Sequence, residues 1–358
     1  MLITDVIENY LNNNIPFVSY RLPFTTESVT LVGGSFSAGV KPDQNQTSQF
    51  IVAPFDTENV SMQVFAAENK ITGWDIELPD VEIKKIPSFI VPEKPVITDV
   101  ETYQLQAEML IGAMKRHEFE KVVLSRVLEF QLTANPCLGK VYEKACNTYP
   151  NAFVYLLNDG KGQIWMGATP ETLLQVSSGI GSTMSLAGTQ SVDNQLVENL
   201  VWEEKERKEH QFVTDYIRDV LCSAPVDNIE VSETKSVQAG KMAHLQTDFS
   251  FQVLEKHRVL DIALALHPTP AVCGIPQQPS FRVINATEKH KRNYYTGFLG
   301  FRDENENCQF FVNLRCMQII GNKAFIFVGG GLTAQSDPLK EWNETELKAG
   351  TMLSLFSE

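Results

Sequence analysis

Residues 310–348 read FFVNLRCMQIIGNKAFIFVGGGLTAQSDPLKEWNETELK, and the fold class is decided within them. Two β-rich runs, FFVNLRCMQII and KAFIFVGGG, flank Gly321–Asn322, a two-residue hairpin turn whose leading glycine suits type II′. Ser336 or Asp337 then offers a cap, Pro338 fits the first helical turn, and a helix is expected from there towards the C-terminus. Strand, tight turn, strand and capped helix in one stretch predict a mixed α/β fold of the α+β type, rich in strands.

The rest of the chain repeats these signals. FVSYRL, SVTLVGG, SQFIVAPF and SMQVFAA, within the first 83 residues, are short strand-like runs between Gly-, Asn- and Thr-rich turns. Pro87, Pro92 and Pro95 make KKIPSFIVPEKPVITDV an extended connector. Asp99 then caps a helix expected through about residue 118, with Leu105, Met109, Leu110, Ala113 and Met114 as its apolar stripe. KVVLSRVLEFQL (121–132), AFVYLLN (152–158) and QIWMGATPETLLQV (163–176, broken at Pro170) read as strands. A long helical pattern spans about 194–221.

At 358 residues the chain suits two domains or one large unit, and 43% hydrophobic residues supply a sizeable core. A formal net charge of -14 speaks against a general nucleic-acid or anionic-membrane surface, so an anionic substrate would need cations gathered locally. No run approaches eighteen apolar residues, and MLITDVIENYLNNN lacks the charge pattern of a signal peptide. Six cysteines without a C-x-x-C pair fit reduced thiols in a cytoplasmic protein.

Three charged residues of the opening stretch, Glu341, Glu344 and Lys348, are spaced to share a helix face with Met352 and Leu355. A second helix matches it, with Trp202, Glu206, Glu209, Val213, Tyr216 or Ile217, and Val220 in line. Solvated, salt-bridged helix faces explain such spacing plainly. Inward carboxylates would instead need a cation, and oxygen ligands suit a hard one such as Mg²⁺. Lys121 is either a solvated strand end or, if buried, a candidate general base. Glu171, after Pro170, is either a turn residue facing water or an acid kept protonated by apolar neighbours. Arg315 reads as mid-strand, facing solvent or clamping a carboxylate. Gly329, Gly330 and Gly331 form a bend or a bare-backbone seat for an anion, and His267, before a proline, is a loop histidine or a ligand contact. No G-x-G-x-x-G, P-loop or G-x-S-x-G motif is present.

Eight stretches in order resemble the chorismate-utilising enzymes: KVVLSR, GATPETLL, SLAGTQ, KERKEH, LHPTPAVCGIP, YYTGFLG, NLRC and GGGLTAQSDPLKEWNETELK. They run over roughly residues 100–352. The resemblance implies that family's fold, large antiparallel β-sheets packed as a sandwich with helices on the outside. Residues 96–358 are then the chorismate-binding catalytic region, and residues 1–95 a variable N-terminal part integrated into the fold.

Carried over position by position, the resemblance makes Lys121 the base that activates water and Glu171 the acid that protonates a departing hydroxyl. Glu209 and Glu344 become Mg²⁺ ligands, with Glu206 and Glu341 acting beside them through waters. Arg315, Tyr295, Lys348 and the backbone at Gly330 and Gly331 hold substrate carboxylates, so Lys348 is not expected to pair with the glutamates. Gly188 and Thr189 line the site near the attacked ring carbon, and His267 its other side. Ala187 stands where one aminating group of the family carries lysine, which leaves room for water. LHPTPAVCGIP is similar to isochorismate synthases rather than anthranilate-forming members, and Ala271 replaces the threonine usual in salicylate synthases. The implied activity is Mg²⁺-dependent isomerisation of chorismate to isochorismate by a cytoplasmic monomer; menaquinone is the expected destination because no lyase or carrier domain is fused here, with a siderophore or salicylate as the other destinations. Salicylate formation and a non-catalytic chorismate-binding role are the alternatives.

Overall fold

The computed structural model describes residues 1–39, 48–76, 90–132, 136–192, 197, 200–239 and 242–357. In chain order the elements begin with α1 (Ile3–Asn12), β1 (Phe17–Arg21), β2 (Val29–Val32), β3 (Ser35–Ala38), β4 (Ser48–Ala53), β5 (Gln63–Ala66) and β6 (Asn69–Thr72). Next come α2 (Val100–Lys115), β7 (Lys121–Gln131), α3 (Leu138–Thr148), β8 (Phe153–Asn158), β9 (Ile164–Thr169), β10 (Thr172–Ser177) and β11 (Ile180–Ser191). The middle of the chain adds α4 (Glu204–Ser223), β12 (Val226–Val231), β13 (Lys235–Ala239), β14 (Met242–Val253), α5 (Val259–Leu266), β15 (Gly274–Ile275) and α6 (Gln277–Thr287). Finally β16 (Phe298–Asp303), β17 (Cys308–Val312), β18 (Cys316–Ile320), β19 (Lys323–Thr333) and α7 (Pro338–Leu353) close the chain.

The strands form two antiparallel sheets. The first runs β15-β7-β19-β18-β9-β8-β1-β2-β6, and the second β12-β14-β11-β10-β17-β16-β4-β5-β3, with β13 also on β14. Strand β8 shows why the arrangement is layered: all six of its residues are buried, so both faces must be covered. Val154 and Leu156 pack outward against α1 and α3, while Phe153, Tyr155 and Leu157 point to the second sheet. There Phe153 stacks on Phe311 of β17, with ring centroids 4.2 Å apart. Apolar residues of α4 and α5 cover the far face of the second sheet, giving four layers: helices, sheet, sheet, helices.

The turn and cap signals read from sequence hold. Gly321 takes φ +60°, as type II′ requires at its first position. Asp337 caps α7, accepting from the amides of Leu339 and Lys340 behind Pro338, and Asp99 caps α2 by accepting from Thr102. Residues 90–99 have no regular structure, as a connector should; residues 84–89 of that connector lie outside the described residues. The same is true of most of residues 193–199, where the long helical pattern was expected to start; the helix itself begins at Glu204.

Several readings need correction. FFVNLRCMQII is not one strand: β17 belongs to the second sheet and β18 to the first, and the chain crosses between them at residues 313–315. The buried face of α2 is Tyr103, Ala107, Leu110, Ile111, Ala113 and Met114, whereas Leu105 and Met109 are 67% and 55% exposed. Two faces of a strongly apolar helix compete for the core, and the one matching the α7 groove, with Tyr103 against Trp342, wins. Helix α1 was not anticipated among the N-terminal strand signals.

Candidate active site

Two crossovers between the sheets carry the chemistry. The chain leaves β9 in the first sheet and enters β10 in the second through Pro170–Glu171, and it returns from β17 to β18 through Asn313–Arg315. Both Glu171 and Arg315 line one cavity in the seam. Arg315 adopts φ +47°, in the left-handed region that a β-branched or bulky residue avoids, so it is a turn residue and not a mid-strand one.

The first sheet supplies the opposite wall. Lys121 opens β7 and pairs with Thr333, the last residue of β19, which brings it level with the glycine run. A Cβ on Gly331 would lie 3.0 Å from Lys121 Cε and 2.9 Å from Glu209 Oε1, so only glycine leaves room for that pair. Lys121 is fully buried, and its Nζ is 2.8 Å from Glu209 Oε1, close enough for an ion pair though not aligned as a hydrogen bond. Gly188 takes φ +73° at a bulge between Ala187 and Thr189 in β11, and all three residues line the cavity.

Helices α4 and α7 bring the carboxylates. Glu206, Glu209 and Glu344 line the cavity; Glu341 sits just behind, buried at 3% exposure. Each of three carboxylates already has a lysine: Glu209 with Lys121, Glu344 with Lys348 at 2.6 Å, and Glu341 with Lys205 at 3.1 Å. Glu206 is the exception, since its Oε2 is buried and accepts no hydrogen bond.

These surroundings set the protonation states. Burial pushes the Glu171 carboxyl up to about 8, against a smaller opposing pull from Lys121. Burial also raises Glu344, but Lys348, Lys205 and Arg315 outweigh it and the net shift is downward. Glu341 goes the other way, raised by burial and by Glu344 despite Lys205. The cavity therefore holds a protonated acid on one side and an ionised carboxylate on the other.

Lys121, Glu171, Ala187, Gly188, Thr189, Glu206, Glu209, Tyr295, Arg315, Gly331, Glu344 and Lys348 are brought together as expected from the sequence. Three expectations change. His267 does not line this cavity: it ends α5, its Nε2 is 3.0 Å from the Phe55 carbonyl oxygen, and its ring packs on Phe298. Gly330 faces α7, where a Cβ would meet Glu341 Oε2 at 3.4 Å, because alternation along β19 turns it away from the side shared by Gly329 and Gly331. Lys348 does pair with Glu344, one turn earlier, and also donates to the Gly329 carbonyl oxygen at 3.0 Å.

Two titratable residues of the cavity carry no signal in the sequence. Lys205 sits one position before Glu206, where its salt bridge to a distant helix leaves no local mark. His244 of β14 is 7% exposed, with Nδ1 3.1 Å from the Gly188 carbonyl oxygen. That carbonyl can only accept, so Nδ1 carries the proton, leaving Nε2 a buried acceptor without a partner. Burial, then Arg315 and Lys348, hold its pKa down to about 3, so the ring stays neutral.

The inward stripe of α4 also shifts, to His210, Val213, Thr214, Ile217 and Leu221; Trp202 precedes the helix and Val220 is only half-buried. Among the described residues, no three His, Cys, Asp or Glu side chains stand in a ready metal-ligating group. The donor chemistry nonetheless fits a hard divalent cation: the oxygens are carboxylate oxygens, and Glu206 Oε2 lacks any donor.

The sequence profile of the family described as chorismate binding enzyme matches residues 43–357. The chain is 29% identical over 275 residues to the isochorismate synthase EntC of Escherichia coli K12, covering 75% of this chain and 70% of that one. It is 28% identical over 285 residues to the isochorismate synthase MenF of Bacillus subtilis, covering 75% of this chain and 59% of that one. In fold it is similar to the menaquinone-specific isochorismate synthase MenF of Escherichia coli, with a TM-score of 0.81 over 96% of this chain and 89% of that one at 19% identity.

Proposed function

Because the chain belongs to the chorismate-binding enzyme family, we propose that it is an isochorismate synthase, an isomerase converting chorismate to isochorismate. The observation that carries this reading is a protonated buried glutamate, Glu171, lining a cavity whose wall residue Glu209 is paired with the buried Lys121, with Arg315 available for a carboxylate. The relatives named isochorismate synthase support the same assignment.

In this mechanism Arg315 and Tyr295 receive a substrate carboxylate, and glycine at 331 leaves room for the Lys121–Glu209 pair beside it. Lys121 serves as base only in its uncharged form, so the proton that makes its ion pair with Glu209 first leaves to solvent; the free amine then takes a proton from water as the water oxygen bonds to C2. Both ring double bonds shift, the C4–O bond breaks, and Glu171 delivers its proton to the departing hydroxyl, which leaves as water. One water enters and one leaves, so substrate and product are isomers. Glu209, Glu344 and, through its free oxygen, Glu206 would hold Mg²⁺, which when bound would neutralise a ring carboxylate and accept developing negative charge. Ala187 leaves the nucleophile's side open to water.

The test is incubation with chorismate and Mg²⁺, without ammonia, followed by product analysis. Isochorismate is expected; exclusive release of salicylate and pyruvate would reassign the enzyme as a salicylate synthase, and no turnover by folded protein would remove the proposal. The product feeds menaquinone synthesis in this reading. Complementation of strains lacking either menaquinone-specific or siderophore-specific isochorismate synthase distinguishes the two destinations.

A further inference from the structure

Of the three lysines facing the carboxylates, two are fixed by more than one anchor. Lys121 is enclosed in the sheet wall, and Lys348 both pairs with Glu344 and donates to the Gly329 carbonyl oxygen. Lys205 differs. It lies in the first turn of α4, its side chain is 31% exposed, and among the described residues it hydrogen-bonds only to Glu341. Glu209 and Glu344 also act electrostatically on it, so its ammonium stands amid the carboxylates that face the cavity. Its one-charge head can leave by rotation of a flexible stem, and the exposed side gives it somewhere to go.

We propose that Lys205 is a tethered competitor for the divalent cation: its ammonium pairs with Glu341, beside Glu344 and Glu209, in the free protein and must swing out when the cation binds. The inference rests on the Mg²⁺ part of the proposed function. The argument is electrostatic. Glu344 repels Glu341 three residues away on α7, and the ammonium that Lys205 brings from α4 offsets that repulsion and stabilises the empty arrangement. The same ammonium is a like charge to an incoming cation and occupies oxygens on its path, so it raises the cation concentration needed for half-occupancy. A positioning role for Lys205, holding Glu341 in place for the cation, makes the opposite prediction.

The test is calorimetric titration of Mg²⁺ into the substrate-free full chain, comparing wild type, Lys205→Met and Lys205→Arg. Lys205→Met is expected to bind Mg²⁺ about tenfold or more tightly than wild type, and Lys205→Arg, which keeps the charge, to stay near wild type. Mg²⁺ binding seen only in Lys205→Met supports the proposal as well. Unchanged or weaker binding in Lys205→Met, with wild type binding, overturns it and leaves the proposed function standing. No binding by any of the three overturns it together with the Mg²⁺ part of the proposed function.

Discussion

At the scale of single residues, the acid and the base are the points where burial changes chemistry. Lys121→Ala removes the proposed base, and kcat for water addition should fall by about 10²–10⁴-fold; wild-type turnover in that variant would clear Lys121 of the role. Glu171 acts as an acid only while protonated, so activity should decline as pH rises through about 8, and Glu171→Gln should lose both activity and that alkaline limb. A stability effect accompanies it. The folded state keeps the Glu171 proton up to about 8, whereas the unfolded chain releases it near the ordinary glutamate value of 4.5, so unfolding free energy should fall as pH rises across that window. Denaturant unfolding of wild type and Glu171→Gln at several pH values checks the sign: the slope attributable to this residue vanishes in the variant. Sequence alone left both residues open between solvent and interior. Strand alternation says which side a residue faces, but not whether a second sheet covers that side.

At the scale of elements, the two crossovers and the glycine run do the positioning. Arg315 holds a left-handed backbone conformation at roughly 1–2 kcal/mol of local cost. Arg315→Gly should therefore leave the thermal midpoint unchanged or raised while weakening chorismate binding by about a hundredfold, a charge-assisted clamp's share. A lowered midpoint with unchanged binding would show that the residue is structural. Gly331→Ala should displace the Lys121–Glu209 pair, since its Cβ would fall within 3.0 Å of both side chains, and lower kcat more than it perturbs folding. Thermal melts and steady-state kinetics on the same preparation read the two effects. The helices were legible as amphipathic segments, but their stripes were misplaced by a residue or two. On α4 the polar residues His210 and Thr214 face inward, His210 Nε2 bonded to the Thr247 hydroxyl and Thr214 to that of Ser185, which an apolar count cannot register.

At the scale of the molecule, the cavity exists because two sheets exchange strands while their inner faces stay packed. Phe153 of the first sheet stacks on Phe311 of the second, so Phe153→Ala should cost about 3–5 kcal/mol, read by urea unfolding. Separate unfolding transitions for the two sheets would contradict the single shared core. The chain's own sequence determined the class of fold, the hairpin at Gly321, the caps of α2 and α7, and the candidate acid, base and carboxylates, because these follow from local periodicity, turn chemistry and an ordered set of motifs. Only the tertiary structure decided that NLRC is a crossing between sheets, that His267 and Gly330 face away from the cavity, and that Lys205 and His244 face it. Those outcomes depend on which distant segment covers a residue and what charge it brings, and spacing along one chain carries no record of either.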